Sequence, residues 1–357
     1  MKKILYLVTK SDLSGAPIHI FSLVNKFKDK YKIVFVTGKK NQIFFKLNEL
    51  NIKTYSIESL ESSLSFIKLV KSFFVFIKIV RSESPDLIHC HSAISGIIAR
   101  LVSFVLNIPC IYTVHGFGFG FGRPLLRSSI IYCIELLFNP LTKFYITVSN
   151  ADMRLGKFLL IPKKKIITIF NGVDDLLNLE TKNTKFVMVA RVSKPKDHET
   201  LIKGMNNIKN KLHLIGSGTD DDNFKLFCKS LNENYFQNIF FHGEISNPRK
   251  ILLKYDVFIL SSNYEGLPIS IIEAMAANMI IVASDVDGNN ELIEHGINGY
   301  LFERGNYEEL NKILHFILKN KDKAKLIADQ ARYDYLNKYN SDIFFRKTGN
   351  IYKNFLN

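Results

Sequence analysis

The feature that most limits the fold of this chain is a rhythm of twelve short apolar runs, each followed by a longer stretch with helical patterning. In the first half they read KILYLV, YKIVFVT, DLIHC, PCIYTV, FYITVS and KIITIF; in the second, KFVMVA, LHLIG, NIFFHG, DVFILSS, MIIVAS and GYLF. Strands that are apolar on both sides need cover on both sides, and an intervening helix supplies it, so the pattern predicts parallel α/β sheets. Two sets of six predict two doubly wound, Rossmann-like domains. The expected boundaries are 1–174 and 175–340, with the break in the polar stretch 171–185. A final helix, 341–357, follows no further strand and is free to pack elsewhere.

At 357 residues, 47% hydrophobic and 23% charged, the chain is globular and too long for one small core. Its cysteines, Cys90, Cys110, Cys133 and Cys228, lack paired spacing and fit small buried residues in a reducing compartment. The start, MKKILYLVTKSD, resembles a signal peptide, but its apolar run stops at Val8 without a small-residue cleavage site, so a first strand is expected. No uninterrupted run of about 18 apolar residues occurs, so no transmembrane helix is expected. These readings place the protein in the cytoplasm.

The net charge of +15 lies in residues 1–170, which hold 24 Lys/Arg against 9 Asp/Glu; the remainder holds 24 of each. The first half should therefore face an anion: nucleic acid, a phospholipid surface or a phosphorylated substrate. Within it, SLSFIKLVKSFFVFIKIVRS places Lys68, Lys71, Lys78 and Arg81 on one helical face of an otherwise apolar segment. That helix could dock on an anionic membrane, or simply cover the sheet with a solvated stripe.

Ligands of open parallel sheets bind beyond the carboxyl ends of the strands, so those loops carry the chemistry. In SSNYEGLPISIIEAMAANMIIVAS, a strand leads into NYEGL and then a short helix with Pro268 at its first position and Asn278 as C-cap. The helix start offers free N–H groups to a phosphate or diphosphate, and Gly266 lets the backbone approach. Glu265 and Glu273 can each accept hydrogen bonds from paired hydroxyls, as sugars and ribose offer. Alternatively, Glu265 merely favours the helix dipole and Glu273 bonds a neighbouring loop. In VMVARVSKPKDHETLIKGM, Arg191 and Lys196 lie in the loop of another strand, before the expected N-cap Asp197. Two loop cations are ordinary alone; opposite an anion-binding helix start they could stabilise a departing diphosphate.

The first half offers YTVHGFGFGFGRP, with His115 at a strand tip before Gly116, Gly118, Gly120 and Gly122. The spacing is not a dinucleotide fingerprint, but the loop is a fair ligand contact, with phenylalanines able to stack or dip into an apolar surface. In TKSDLSGAPIHI, Gly15 lets the backbone approach an anion, whereas His19 reads as packing. Two aspartate patterns invite a metal reading, Asp220 to Asp222 and Asp285 with Asp287. The first fits a helix-capping run better. The second fits a loop offering N–H groups around Gly288, with Glu291 nearby.

Together these motifs resemble the retaining GT-B glycosyltransferases of the large family four. YEGLPISIIEA is similar to that family's Glu-x7-Glu signature, and ARVSKPKDHETLI to its Arg-and-Lys segment. NGVD, LIGSGTD, FHGEI and SDVDGNNELIEHGINGYLF fall in the family's order. Ala190 and Asp197 stand where the family usually has glycine. The resemblance implies two Rossmann-like domains facing across a cleft, with the last helix crossing back to the first domain. It implies that Arg191 and Lys196 hold the donor diphosphate, that Glu265 touches the transferred sugar and that Glu273 binds the ribose. Amides near Gly266 and Leu267 would meet phosphate, Gly15 would close over the phosphates, and His115 would lie beside the reacting sugar. Gly216 and Gly288 are expected among the donor-binding positions.

The activity so implied is transfer of a sugar, with configuration kept, from a nucleoside diphosphate sugar to an acceptor hydroxyl. No metal cofactor is expected, because protein cations carry the leaving charge. The TVHGFGF form of the loop is similar to polysaccharide-assembly members that extend polyprenyl-diphosphate-linked saccharides at the inner membrane face. A UDP-hexose or UDP-N-acetylhexosamine donor follows as the expectation. The rivals are a sugar-nucleotide epimerase or phosphorylase of the same fold, for which a basic membrane-facing half has no role, and a nucleic-acid-binding protein. The last lacks a recognisable binding motif.

Overall fold

Thirteen strands are present among the described residues of the computed structural model, one more than the apolar runs announce. The structure describes all residues except 14, 61–64, 120–124, 177–184, 246–247 and 357, and all of their side chains except those of 127 and 248. The described residues divide into two units, Met1–Phe170 with Phe345–Asn357, and Asn171–Phe344. Every strand pairing within them is parallel.

In the first unit the strands are β1 (Lys3–Val8), β2 (Lys32–Thr37), β3 (Lys53–Ser56), β4 (Leu87–His91), β5 (Cys110–Val114), β6 (Phe144–Thr147) and β7 (Ile166–Thr168). Their spatial order is β3-β2-β1-β4-β5-β6-β7, so the winding reverses between β1 and β4. The intervening helices are α1 (Gly15–Phe27), α2 (Gln42–Glu49), α3 (Phe66–Glu83), α4 (Ala93–Leu106), α5 (Leu125–Phe138) and α6 (Asn150–Phe158). The unannounced strand, β3, reads KTYS and sits at the sheet edge without a buried residue, so it carries no apolar run. Leu5, Leu7 and Val34 of the sheet pack with Phe76 and Val80 of α3 and Ile98 and Val102 of α4. Burying side chains of this size contributes about 1.5–3 kcal/mol each. One ion pair lies within this packing. Arg100 of α4 binds Glu135 of α5 through Nη1–Oε2 at 2.8 Å and Nη2–Oε1 at 3.3 Å, both residues being buried.

The second unit holds β8 (Phe186–Val189), β9 (Leu212–Ile215), β10 (Ile239–Phe241), β11 (Val257–Leu260), β12 (Ile280–Asp285) and β13 (Tyr300–Glu303), in the order β10-β9-β8-β11-β12-β13. Its reversal point lies between β8 and β11. The helices are α7 (His198–Gly204), α8 (Asp222–Leu231), α9 (Pro248–Leu252), α10 (Ile269–Ala276), α11 (Asn289–Leu292), α12 (Tyr307–Lys319) and α13 (Lys321–Asp334). Arg332 of α13 donates to the Ala276 carbonyl and pairs with Asp175, each at 2.6 Å, and Tyr335 donates to the Val173 carbonyl. The segment that opens the unit is thereby fastened to the helices that close it.

The last helix, α14 (Ser341–Leu356), spans the change of unit between Phe344 and Phe345. Its later part belongs to the first unit. There the Tyr352 hydroxyl meets the Tyr6 hydroxyl at 2.9 Å and His89 Nδ1 at 2.7 Å, and its ring packs edge-on against Phe27. No helix among the described residues is long and apolar enough to cross a membrane.

Candidate active site

Two loops of the second unit leave the carboxyl ends of β8 and β11, the strands that flank the reversal point. They are fastened along their length. Asp197 N donates to the Ser261 carbonyl at 3.1 Å, Asn263 N to the Pro195 carbonyl at 2.7 Å, and Lys196 and Ser262 form a bridge. Asp197 caps α7 by accepting from Thr200 N, as the sequence predicts, which fixes the turn that aims Lys196. Lys196 Nζ contacts Glu265 Oε1, and the same oxygen accepts from Ser262 Oγ at 2.6 Å. The structure thus brings Lys196 and Glu265 together, with Arg191 exposed in the same loop.

The helix after this loop departs slightly from expectation. Pro268 is the N-cap rather than the first helical residue, with ψ at 114°, because α10 starts at Ile269. Its C-cap is Ala277, and Asn278 follows in the left-handed conformation at φ 54°. Leu267 is buried beneath the turn. The apolar face of α10 is Ile271, Ile272, Ala274 and Met275, and Glu273 stands beside it only 12% exposed. Arg249 of α9 approaches Glu273, Nε to Oε1 at 3.3 Å, as an ion pair rather than an aligned hydrogen bond. Burial dominates over this cation and pushes the Glu273 carboxyl up to about 7. Arg249 also donates to the Asp174 carbonyl at 2.8 Å.

Two glycines set how closely these loops approach. A side chain at Gly288, where φ is 89°, would lie 2.2 Å from the Gly266 carbonyl; one at Gly216, at φ 140°, would lie 2.4 Å from that of Ala190. Only glycine lets the loops after β12 and β9 close on the loops after β11 and β8. Gly288 also caps α11. Of the aspartate patterns, Asp221 caps α8 through Asn223 N and Phe224 N, and Asp285 accepts from Asn290. Both serve local structure.

In the first unit, His115 follows β5 and Gly116 takes φ 102°. Phe117 and Phe119 are buried in their own unit's core, with Phe117 N donating to Asp152 at 2.8 Å. Gly120 and Gly122 lie outside the described residues. Gly15 is the first residue of α1, and His19, one turn on, packs edge-on to His115 and His91 with ring centres 4.9 and 5.3 Å apart. His91 Nδ1 and His115 Nε2 lie 3.0 Å apart. Burial holds His89, His91 and His115 well below the usual imidazole range, so these rings are neutral.

Comparison with known proteins gives the family of the chain. The profile described as Glycosyl transferases group 1 matches residues 174–334, and that described as Glycosyltransferase Family 4 matches residues 13–175. The O-antigen biosynthesis glycosyltransferase WbnH of Escherichia coli is 31% identical over 311 residues, covering 85% of this chain and 86% of the relative. The chain belongs to the group 1 glycosyltransferases. A second relative of this glycosyltransferase, from Escherichia coli, is named UDP-Gal:alpha-D-GlcNAc-diphosphoundecaprenol alpha-1,3-galactosyltransferase. It is 25% identical over 303 residues, covering 76% of this chain and 78% of its own. Among solved structures, Anabaena HepE in complex with UDP superposes with a TM-score of 0.85 at 18% identity, covering 99% of this chain and 100% of that one. That likeness shows the shared fold, two Rossmann-like parallel-sheet domains of the GT-B type.

Three residues beside this glycosyltransferase's loops escaped the sequence reading. Arg249 sits in a polar stretch that gives no sign of its partner 24 positions on. Ser262 looked like a strand end. His91 had a usable signal, since His89 and His91 alternate in HCH and must face the same side of β4.

Proposed function

We propose that this glycosyltransferase moves a sugar, with retention of configuration, from a UDP-hexose or UDP-N-acetylhexosamine to a hydroxyl of a polyprenyl-diphosphate-linked saccharide in surface polysaccharide assembly. The observation that carries this reading is the fastening of Lys196 and Glu265 at the carboxyl ends of β8 and β11, next to the start of α10. As the anomeric carbon–oxygen bond breaks, its electron pair goes to the β-phosphate oxygen, the acceptor oxygen bonds the anomeric carbon, and the acceptor's proton passes to the departing phosphate. Arg191, Lys196 and the amides about Gly266 and Leu267 are the groups able to stabilise that charge. A metal is not required for this step in the proposal.

Glu265 then serves sugar hydroxyls and Glu273 the ribose. Gly216 and Gly288 keep the loops low enough to close on the donor. The roles of His115 beside the sugar and of Gly15 at the phosphates rest on the family resemblance alone. The first unit is assigned to the acceptor and to an anionic membrane. Counted with Phe345–Asn357 it holds 27 Lys/Arg against 9 Asp/Glu. The names of the relatives, with their O-antigen and diphosphoundecaprenol terms, and the UDP complex of the structural relative support the choice of substrates.

The test is incubation of the purified protein with a panel of UDP- and GDP-sugars, with and without a polyprenyl-diphosphate-linked saccharide and with EDTA throughout. The expected result is acceptor-dependent release of UDP and a product whose new linkage has the donor's anomeric configuration. Epimerised donor without acceptor, or phosphate-dependent release of a sugar phosphate, would instead select the epimerase or the phosphorylase.

A further inference from the structure

We infer that His19, His91 and His115 form a binding site for one divalent transition ion of the Zn2+ class. One ring nitrogen from each lies within 4.8 Å of those of the other two, and no other group of three or more His, Cys, Asp or Glu among the described residues gathers in this way. The three come from separate elements, α1, the end of β4 and the loop after β5, which converge at the reversal point of the first sheet. That is where an open parallel sheet leaves room for a ligand.

The chemistry of the donor set selects the ion. Mg2+ and Ca2+ require oxygen ligands, whereas neutral imidazole suits Zn2+ and its borderline neighbours. His91 is fully buried, and its two nitrogens differ: Nδ1 faces His115 Nε2 at 3.0 Å, while Nε2 has no hydrogen-bond partner.

Geometry asks for a modest contraction. Nitrogens around a tetrahedral Zn2+, at about 2.0–2.1 Å from the metal, lie roughly 3.3 Å apart. His91 Nδ1 and His115 Nε2 are 3.0 Å apart as a hydrogen-bonded pair, which the ion would replace once the donor ring carries its proton on the other nitrogen, so in distance chiefly His19 must close in. His89, only 4.3 Å from His91 between ring centres, is held away by Thr113 and Tyr352 at 2.7 Å each. Three ligands leave a fourth position for water. The unit is strongly basic, so its field repels the ion and the affinity must come from coordination. Binding should therefore not weaken as salt rises. His115 is also the residue that the family resemblance sets beside the reacting sugar, so the binding test is run without sugar nucleotide and does not depend on the metal-free reading of diphosphate departure.

The experiment uses the full-length protein stripped with EDTA, without any sugar nucleotide. Zn2+ is measured by equilibrium dialysis, and Co2+ by the visible absorption of a tetrahedral complex. The expected result is one ion per chain, with affinity reduced more than about tenfold in His19→Gln and in His115→Gln. Thermal unfolding of the stripped variants within a few degrees of the parent shows that they fold. The control is His213→Gln, which breaks the other close pair, His213 and His242, whose ring nitrogens are 2.8 Å apart. It should leave binding unchanged. The inference fails if the parent holds no ion, if the His19→Gln, His115→Gln double variant binds like the parent, or if His213→Gln is the variant that loses it.

Discussion

Lys196 and Glu265 share one oxygen with a third residue: the ammonium pairs with Glu265 Oε1 while Ser262 donates to the same atom. Both side chains are mostly enclosed, at 17% and 12% exposure. A diphosphate at Lys196 would compete with Glu265 for the ammonium, and the carboxylate so released would be free to take sugar hydroxyls. Charge on the leaving group grows toward the transition state, so the cation matters more there than in the bound donor. Lys196→Ala should lower kcat by about 10²–10³ while the donor KM moves only severalfold. Steady-state kinetics with the active UDP-sugar check this; transfer at the parent rate would remove Lys196 from the mechanism.

Glu273 and Arg249 predict a pH dependence. The Glu273 carboxyl titrates at about 7, raised first by burial and then lowered in part by Arg249. Its native pKa lies above the unfolded value, so the folded protein holds the extra proton between the two. This group's contribution to stability is therefore full at low pH and is lost as pH rises toward 7. Ribose recognition runs the other way, because the carboxylate accepts from both hydroxyls only when ionised. The donor KM should fall as pH rises through about 7. Arg249→Met should move that midpoint upward, and Glu273→Gln should abolish it and weaken donor binding. KM-against-pH profiles of the three proteins decide the matter.

How much of this was readable in the chain follows from what each residue depends on. The strands were legible because parallel strands buried on both faces must be continuous apolar runs, as IIVAS of β12 is. KTYS of β3 was not, because an edge strand without a buried residue needs no such run. The placement of Glu265, Lys196 and Asp197 was legible because neighbours in sequence set it: a strand end, a capped helix, a Gly-Leu-Pro turn. Arg249 and His91 owe their settings to partners far along the chain, and His19 read as packing for the same reason. Gly288 needed the distance to Gly266, which no local pattern encodes.

The buried pair Arg100–Glu135 is a stability prediction. The guanidinium also lies over the Tyr112 ring, 4.7 Å from its centre, and its Nε donates to the Gly96 carbonyl at 2.9 Å. Arg100→Leu leaves a carboxylate with no cation inside the first unit and should cost about 3–5 kcal/mol. Arg100→Leu with Glu135→Leu removes both charges, and most of that loss should be recovered. Urea unfolding of the two variants tests the sign of the coupling.

Tyr352 ties α14 to β1 and β4 through Tyr6 and His89. Tyr352→Phe keeps the ring packing on Phe27 but leaves two buried partners without this hydroxyl. The expected loss is about 1–3 kcal/mol. It should show in hydrogen exchange as faster opening of Phe345–Leu356 and of β4, with β11 and β12 unaffected. Equal acceleration in both units would mean that the hydroxyl does not act locally.

Helix α3 offers the most direct test of membrane docking. Phe66 and Ile67 are 79% and 80% exposed, Val70 and Phe74 are also exposed, and Lys68, Lys71, Lys78 and Arg81 stand among them on the solvent side. Basic residues near an anionic bilayer contribute about 1 kcal/mol each, so reversing two charges should weaken binding by roughly 3–4 kcal/mol. Lys71→Glu with Lys78→Glu should therefore largely abolish cosedimentation with phosphatidylglycerol vesicles and flatten its salt dependence. Phe66→Ser with Ile67→Ser should weaken binding yet leave the salt slope intact, because apolar insertion releases no counterions. Duplex DNA at the same ionic strength is the control. Tighter binding to DNA than to vesicles would turn the basic unit toward nucleic acid and away from a lipid-linked acceptor.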